Sequence, residues 1–493
     1  KSCATMWVLL WLCLWREASG IATHPRPRSM TQQAQAPPRP RSKTLEQQAQ
    51  SSHQSHFNWY AQWYPVHVVE TMDETRPHRV ELLGMGLVAW HDDTGWRVFE
   101  DSCPHRRGPL SEGRVEGGEL MCSYHSWKFD GSGRCSAMPS STKEKHRLSC
   151  RARCSAYPTT VRDGLLFVYP TRGAFLEASF VEVPTVAKKG QKVKVPAGVR
   201  DFPCGFDAMV ENTLDPAHFA SAHHNTLGNR YRDPKPYKFA FKDNKREKGF
   251  RLEGDFGELE FVPPCLTVYR PHNHQMPFNG SLAIGTYCVP TAPGVVRPLA
   301  VVAHDDDTHA KKKRKTTLAE YALALFMSEL TPVWLGHVLS SIVLHQDAGL
   351  LYYQSRNLRA AQARDEDLLY NDLAFTPTSA DLGVVAFRRW LHVYGGKRVP
   401  WAPEAQESQR EAVDIYDMWN AHTTSCKYCL VAHRNVELAA NGAIAAAIAA
   451  LLVVPDDEPR RIPLALAAFA AASALNFLKG LFHRYEFHHH DNH

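Results

Sequence analysis

From residue 57 onward the apolar positions fall in short runs with period-two alternation. Strands are predicted over 80–83, 86–90 and 96–99, with turn signals at Asp92 and Asp93 and at Thr94 and Gly95. Residues 127–133 read as a strand and tight turn, and 164–170 as a closing strand. Strands of this length and spacing argue a small antiparallel sandwich. A second β-rich tract, 235–303, predicts an antiparallel sheet with strands at 239–241, 250–252, 259–262, 266–269 and 281–289, and a turn at Asn279 and Gly280. The period becomes helical over 317–361, and 382–390 followed by Gly395 and Gly396 closes that region. Two apolar stretches of 17 residues, 438–454 and 462–478, flank a polar turn at 455–461. They sit at the lower edge of the length that spans a bilayer and predict a helical hairpin in a membrane. Both are Ala-rich, so the alternative is a soluble hairpin packed on the preceding domain. The class is therefore α+β: an all-β N-terminal domain, an antiparallel sheet with a long helix, and a C-terminal hairpin.

Charge changes little in this picture. The formal net charge is +6, but residues 1–56 carry seven Lys/Arg and two acids, which leaves the remainder near neutral and gives no footprint for nucleic acid. Residues 6–15 form an apolar core followed by Ala18, Ser19 and Gly20, and 21–56 are rich in Arg, Pro, Gln and Ser. This reads as a signal segment followed by a transit segment, so 1–56 is set aside as a targeting leader. The 12 Cys follow no disulfide framework, which points to a reducing compartment with metal or redox cysteines.

Two loops carry the most specific chemistry. Cys103 and His105 form one Cys-x-His pair; Cys122 and His125 form a Cys-x-x-His pair after 16 intervening residues. A [2Fe–2S] cluster with mixed ligation needs two thiolates on one iron and two imidazoles on the other, and two such loops supply them. A Cys2His2 zinc site is the alternative, although zinc motifs pair Cys with Cys and His with His. Cys135, close behind, reads as a buried core thiol.

The stretch 211–224 (ENTLDPAHFASAHH) carries the second constellation. On one helix, Asp215 and His218 would share a face, with His223 on the adjoining one. Two imidazoles and a carboxylate make the facial triad of non-haem Fe(II), which leaves positions open for O2. His224 rivals His223, and a capped helix with surface histidines is the plain alternative. Asp347, between apolar residues of the long helix, is the candidate third ligand, because an interior carboxylate is costly unless paired or metal-bound. Further on, Cys426 and Cys429 form a CxxC, either a possible redox pair or half of a zinc site; with no second CxxC in the chain, the redox pair is the stronger reading. The basic run 311–315 reads as a solvated loop, and 488–490 as a disordered tail.

Together CPHR, the CSYHSW loop, ENTLDPAHFASAHH and HQDAGLLYYQ resemble the Rieske non-haem iron oxygenases. FNWYAQWYPV, EDSCPHRRGPLSEGR, CKYC and the paired hydrophobic tail are similar to the plastid pheophorbide a oxygenase group over roughly residues 57–485. One departure is Ser126, where the family usually has Gly. The resemblance implies a Rieske domain at 57–175 holding the cluster on Cys103, His105, Cys122 and His125. It implies a helix-grip-like catalytic domain at 190–425 holding Fe(II) on His218, His223 and Asp347, and a CxxC and membrane hairpin at 426–485. It also implies reduced ferredoxin as donor and a homotrimer in which Asp215 bridges one subunit's cluster to the neighbour's iron. The substrate class is a chlorophyll-derived tetrapyrrole at a plastid membrane, inner envelope or thylakoid. Pheophorbide a comes first, with chlorophyllide a, protochlorophyllide a or a bilin as alternatives. A non-catalytic redox component of plastid protein import is the alternative from another class.

Overall fold

The structure, a computed structural model, describes residues 57–255, 257–272, 281–305, 331–364, 369–406 and 412–489. The leader at 1–56, the basic run 311–315, the turn at Asn279 and Gly280, the 317–330 part of the expected helix and His490 lie outside the described residues.

The N-terminal part is built from three small antiparallel sheets. His78–Leu82, Met85–Asp92 and Gly95–Glu100 pair in sequence order, as the alternation predicts. Tyr64–Val68 pairs with Leu165–Val168, which joins the start of the domain to its end. Arg114–Glu116, Glu119–Met121, Lys128–Phe129 and Cys135–Ala137 make the third sheet. Val88, Trp90, Phe99, Leu110, Leu120 and Phe129 form its core together with Cys103, Cys122 and Cys135. Cys135 is thus the buried core thiol the sequence suggested.

The second tract is a seven-stranded antiparallel sheet. Phe239–Asn244, Phe250–Gly254, Gly257–Val262, Leu266–Pro271, Leu282–Ala292 and Val295–His304 follow one another as a meander, and Lys192–Lys194 adds to the far edge. Val295–His304 was not singled out from the sequence. Eight of its ten residues are buried, so it does not alternate, and Arg297 and Pro298 interrupt its apolar run.

The candidate iron ligands of this part, and the residues that brace them, sit on or beside α1 (Phe206–Leu214), α2 (His218–Ala222), α3 (Val333–Gln362) and α4 (Leu382–Val393). α1 packs beside the sheet, with α3 and α4 against it. Three ties hold it. The Gly205 N–H at its start donates to Ser355 Oγ of α3 at 3.0 Å. Gln354 Nε2 of α3 donates to Glu211 Oε2 at 3.1 Å. Arg388 of α4 clamps both Asp207, at 2.6 Å, and Glu211, one turn apart on α1. Gly383 permits the close approach of α4, since a Cβ there would meet the Leu214 carbonyl oxygen at 2.8 Å.

The two β parts share one hydrophobic core. Trp59, Tyr64 and Leu165 belong to the same buried cluster as Phe206, Tyr287 and Trp390. Arg297 adds a polar tie, donating to the Val66 carbonyl at 2.9 Å and to both oxygens of Asp201.

The Arg388 clamp carries a pH signature. Burial raises the Glu211 carboxyl from 4.5 to about 7 against the attraction of Arg388. At Asp207 the same guanidinium overcomes burial and holds the carboxyl below its usual value. Folded protein therefore keeps the Glu211 proton where the unfolded chain has released it, so this group's contribution to stability falls as pH rises from 4.5 to about 7. Glu211→Gln should flatten the decline of the unfolding midpoint across that interval; an unchanged slope would refute this assignment.

At the C-terminus, α5 (Lys427–Val453) and α6 (Arg461–Leu481) form a helical hairpin. Both are long and apolar enough to cross a membrane by length and composition, with mean hydropathies of 2.0 and 1.6 over their most apolar windows. Their apolar side chains face outward, as at Leu452, Val453, Leu466 and Phe469. α5 begins eleven residues before the apolar stretch at 438, with Cys426 as its N-cap residue. The segment beyond α6 is not the loose tail expected: Phe487 O accepts from Tyr416 Oη at 2.8 Å, and His489 Nε2 donates to the Gln346 carbonyl of α3 at 2.8 Å.

Candidate metal centres

The two Cys/His loops are built alike. In the first, the Cys103 N–H donates to the Gly108 carbonyl at 2.8 Å and the Arg107 N–H returns to the Cys103 carbonyl at 2.8 Å. In the second, Cys122 N–H donates to the Trp127 carbonyl at 2.9 Å and Ser126 N–H to the Cys122 carbonyl at 3.0 Å. Each turn needs one left-handed residue four positions after its cysteine, Arg107 (φ 62°) and Ser126 (φ 57°). A backbone at this φ favours glycine, the residue that the resemblance leads one to expect where this chain has Ser126.

The loops lie beside one another. The His105 and His125 rings are 4.3 Å apart, and His105 stacks on Trp127 at 4.6 Å. Cys103 and Cys122 are buried behind them, each 2 % exposed. His105 Nδ1 is buried with no hydrogen-bond partner, and burial holds the Cys103 thiol well above its usual pKa. An imidazole nitrogen without a partner and a thiol short of a stabilising cation are what iron would complete. The donor set fits a [2Fe–2S] group.

The second centre forms where α1 ends. The sequence suggested one helix carrying Asp215 and His218; instead the chain breaks between two. Asp215 is the C-cap residue of α1 in extended conformation (φ −101°, ψ 105°), and His218 starts α2. Pro216 explains the break, because it disfavours helical backbone at the residue before it. Asp215 Oδ1 accepts from the Ala217 N–H at 2.7 Å, and burial holds its carboxyl above the usual range.

His218, His223 and Asp347 converge, their nearest ligand atoms all within 4.8 Å of one another. His218 Nε2 lies 4.0 Å from Asp347 Oδ1, and His223 Nε2 3.3 Å from Asp347 Oδ2. Both rings are oriented from behind. His218 Nδ1 is 2.5 Å from the Asp215 carbonyl oxygen, and His223 Nδ1 is 2.9 Å from Gln346 Oε1. Since those oxygens only accept, each Nδ1 carries the proton and each Nε2 turns a lone pair towards Asp347. Asp347 Oδ1 is buried without a hydrogen-bond partner. Against the penalty of burial, Asp347 holds the His223 imidazole above its usual pKa, so the site favours positive charge beside this carboxylate. Two imidazoles and one carboxylate with an orphaned oxygen fit a divalent iron.

His224 is turned away: its Nδ1 accepts from the Arg230 N–H at 3.1 Å and its ring meets Tyr231. Gln346, the backbone carbonyl of Asp215 and the Arg388 clamp were not read from the sequence. Gln346 adjoins Asp347 in HQDAGLLYYQ, but nothing in that spacing shows it turning back to His223. Cys426 and Cys429 are free thiols, both buried and remote in sequence from these centres.

The all-β domain with its paired Cys/His loops and the adjoining two-histidine, one-carboxylate group define the class, a Rieske-type oxidoreductase of the oxygenase kind. A Rieske [2Fe-2S] domain profile matches residues 62–159, and a pheophorbide a oxygenase profile matches 261–365. The chain is 32% identical to the chloroplastic pheophorbide a oxygenase of Arabidopsis thaliana over 452 residues, covering 85% of this chain and 81% of that one. It is 29% identical to the chloroplastic flavonoid 8-hydroxylase 2 of Ocimum basilicum, covering 88% and 86%. Among solved structures, dicamba monooxygenase bound to dicamba aligns with a TM-score of 0.53 at 15% identity, over 70% of this chain and 99% of that one, a likeness of fold. This chain belongs to the pheophorbide a oxygenase family and is an oxidoreductase.

Proposed function

We propose that Cys103, His105, Cys122 and His125 hold a [2Fe–2S] cluster and that His218, His223 and Asp347 hold a mononuclear Fe(II). The chain would take single electrons from a reduced ferredoxin and oxygenate a chlorophyll-derived tetrapyrrole, pheophorbide a first. The observation that carries this reading is the convergence of His218, His223 and Asp347, with Asp347 Oδ1 unpartnered and both Nδ1 atoms already engaged. A redox carrier alone needs no such second set, which counts against a purely electron-passing role in plastid import. Bound iron supplies O2 activation; the protein's own residues fix where that happens. Asp215 holds the His218 ring through its carbonyl while its carboxylate accepts from the Ala217 N–H just before α2, so one residue can link the ligand to a donor loop of a neighbouring subunit in a homotrimer. Gln346 holds His223, and α3 holds Asp347.

The substrate reading rests on kinship with pheophorbide a oxygenase at 32% identity. Chloroplastic relatives and the outward-facing apolar hairpin support a plastid membrane as its setting. The test supplies reduced ferredoxin and ¹⁸O2 to the purified chain with pheophorbide a, chlorophyllide a, a bilin and a flavone in turn. Label in the pheophorbide a product is expected; no label in any product, from protein holding three irons per chain, overturns the proposal. Gln346→Leu should weaken mononuclear iron binding by roughly 10–100-fold, the usual effect of losing an outer-shell partner. Titration with ferrous iron reads this, and an unchanged affinity would show that Gln346 does not support the ligand.

A further inference from the structure

The CxxC does not stand alone. His337 of α3 and His422, in the π-helical turn Trp419–Thr423, meet Cys426 and Cys429 at the start of α5. The four donor atoms lie within 4.8 Å of one another, and all four residues are at most 2 % exposed. We infer that His337, His422, Cys426 and Cys429 form a second metal site, a closed Cys2His2 site for one zinc ion.

The spacing of the atoms is that of a single tetrahedral ion. Zinc bonds of 2.0–2.1 Å to nitrogen and 2.3 Å to sulfur give tetrahedral edges of about 3.3 Å between nitrogens and about 3.6 Å between nitrogen and sulfur. Here His422 Nε2 is 3.1 Å from His337 Nδ1. Cys429 Sγ is 3.3 Å from each of these nitrogens, and Cys426 Sγ is 3.6 Å from His337 Nδ1. The sulfurs are free thiols.

The orientation of His422 argues for a cation too. Its Nδ1 is 2.9 Å from the Val199 carbonyl, which accepts, so Nδ1 carries the proton and Nε2 points a lone pair into the cluster. This backing of a ligand histidine by a carbonyl is the arrangement that metal sites use. Gly198 leaves the room for it, because a Cβ there would fall 2.5 Å from the ring. A dithiol switch requires neither histidine. The motif is legible in retrospect as HxxxCxxC over 422–429; the fourth ligand lies 85 residues earlier, where no spacing rule reaches. Two Cys and two His close the coordination and leave no position for a substrate, so the ion is structural. It would pin the first turn of α5 to α3, ten residues before Asp347 on the same helix, about 15 Å along it.

The test is elemental analysis of the full chain in detergent, purified with its [2Fe–2S] spectrum intact. One zinc per chain is expected, and it should be lost in both Cys429→Ser and His422→Gln while the cluster spectrum is kept. Dependence on His422 separates a metal site from a redox pair, and retention of the cluster spectrum separates it from zinc misplaced in the Cys103/His105 loops. Protein with its cluster but no zinc, or zinc kept in both variants, overturns the inference. Should the variants fail to hold the cluster, cobalt(II) incorporated into the unaltered chain decides. Thiolate-to-cobalt charge transfer with tetrahedral ligand-field bands supports the site, and their absence overturns it. None of these readouts depends on whether His218, His223 and Asp347 hold iron.

Discussion

Replacing Asp347 by Ala is expected to empty the mononuclear centre and abolish oxygenation while the [2Fe–2S] spectrum stays as it was. His223 would lose the carboxylate 3.3 Å from its Nε2, and His218 the one 4.0 Å away, leaving two imidazoles to hold the ion. Losing a ligand should weaken iron binding by more than the roughly 10–100-fold that loss of an outer-shell partner produces. Iron analysis should then read two per chain in place of three. The unaltered cluster spectrum matters as much, because Cys103 and Cys122 lie in a separate core with Val88, Trp90 and Phe129 that the substitution does not touch. Retention of the third iron would remove Asp347 from the ligand set.

Arg388→Met should be the most damaging substitution away from the metal ligands. Arg388 is 9 % exposed and pairs with both Asp207 and Glu211 of α1. Removing it leaves two carboxylates on one helix without their cation, which typically costs about 3–5 kcal/mol. The loss would read as a lower midpoint in chemical unfolding with an unchanged slope. Function should suffer as well, because α1 ends at Asp215, whose carbonyl orients His218. Replacing Arg388, Asp207 and Glu211 together by apolar residues of similar volume should recover much of the stability, since apolar replacement of a whole buried ionic group is often neutral. A single Arg388→Met variant as stable as the parent would contradict the clamp.

Local chemistry made part of this molecule legible from its sequence. The cluster loops could be read because each ligand pair lies within four residues, and the strand pattern around them alternates as half-buried strands do. The hairpin was legible because a run of apolar residues needs no partner to be noticed. His218 and His223 were legible as types but not as a geometry. The break at Pro216 separates Asp215 from the helix of His218, and what aims the rings is a backbone carbonyl and Gln346, which no spacing reveals. The Val295–His304 strand escaped notice because it is buried on both faces. His337 and Arg388 escaped it because their partners lie 85 and 177 residues away in the chain. Docking of His489 onto α3 likewise depends on tertiary contact, which made a histidine-rich end look like a loose tail.

The most direct test is a single turnover. The full chain is loaded with both iron centres, its cluster chemically reduced, excess reductant removed, and pheophorbide a and ¹⁸O2 added. The cluster is expected to reoxidise with the formation of ¹⁸O-labelled product in the unaltered chain, and to yield no labelled product in Asp347→Ala with an equally reduced cluster. Labelled product formed equally by both proteins would contradict a catalytic centre at His218, His223 and Asp347.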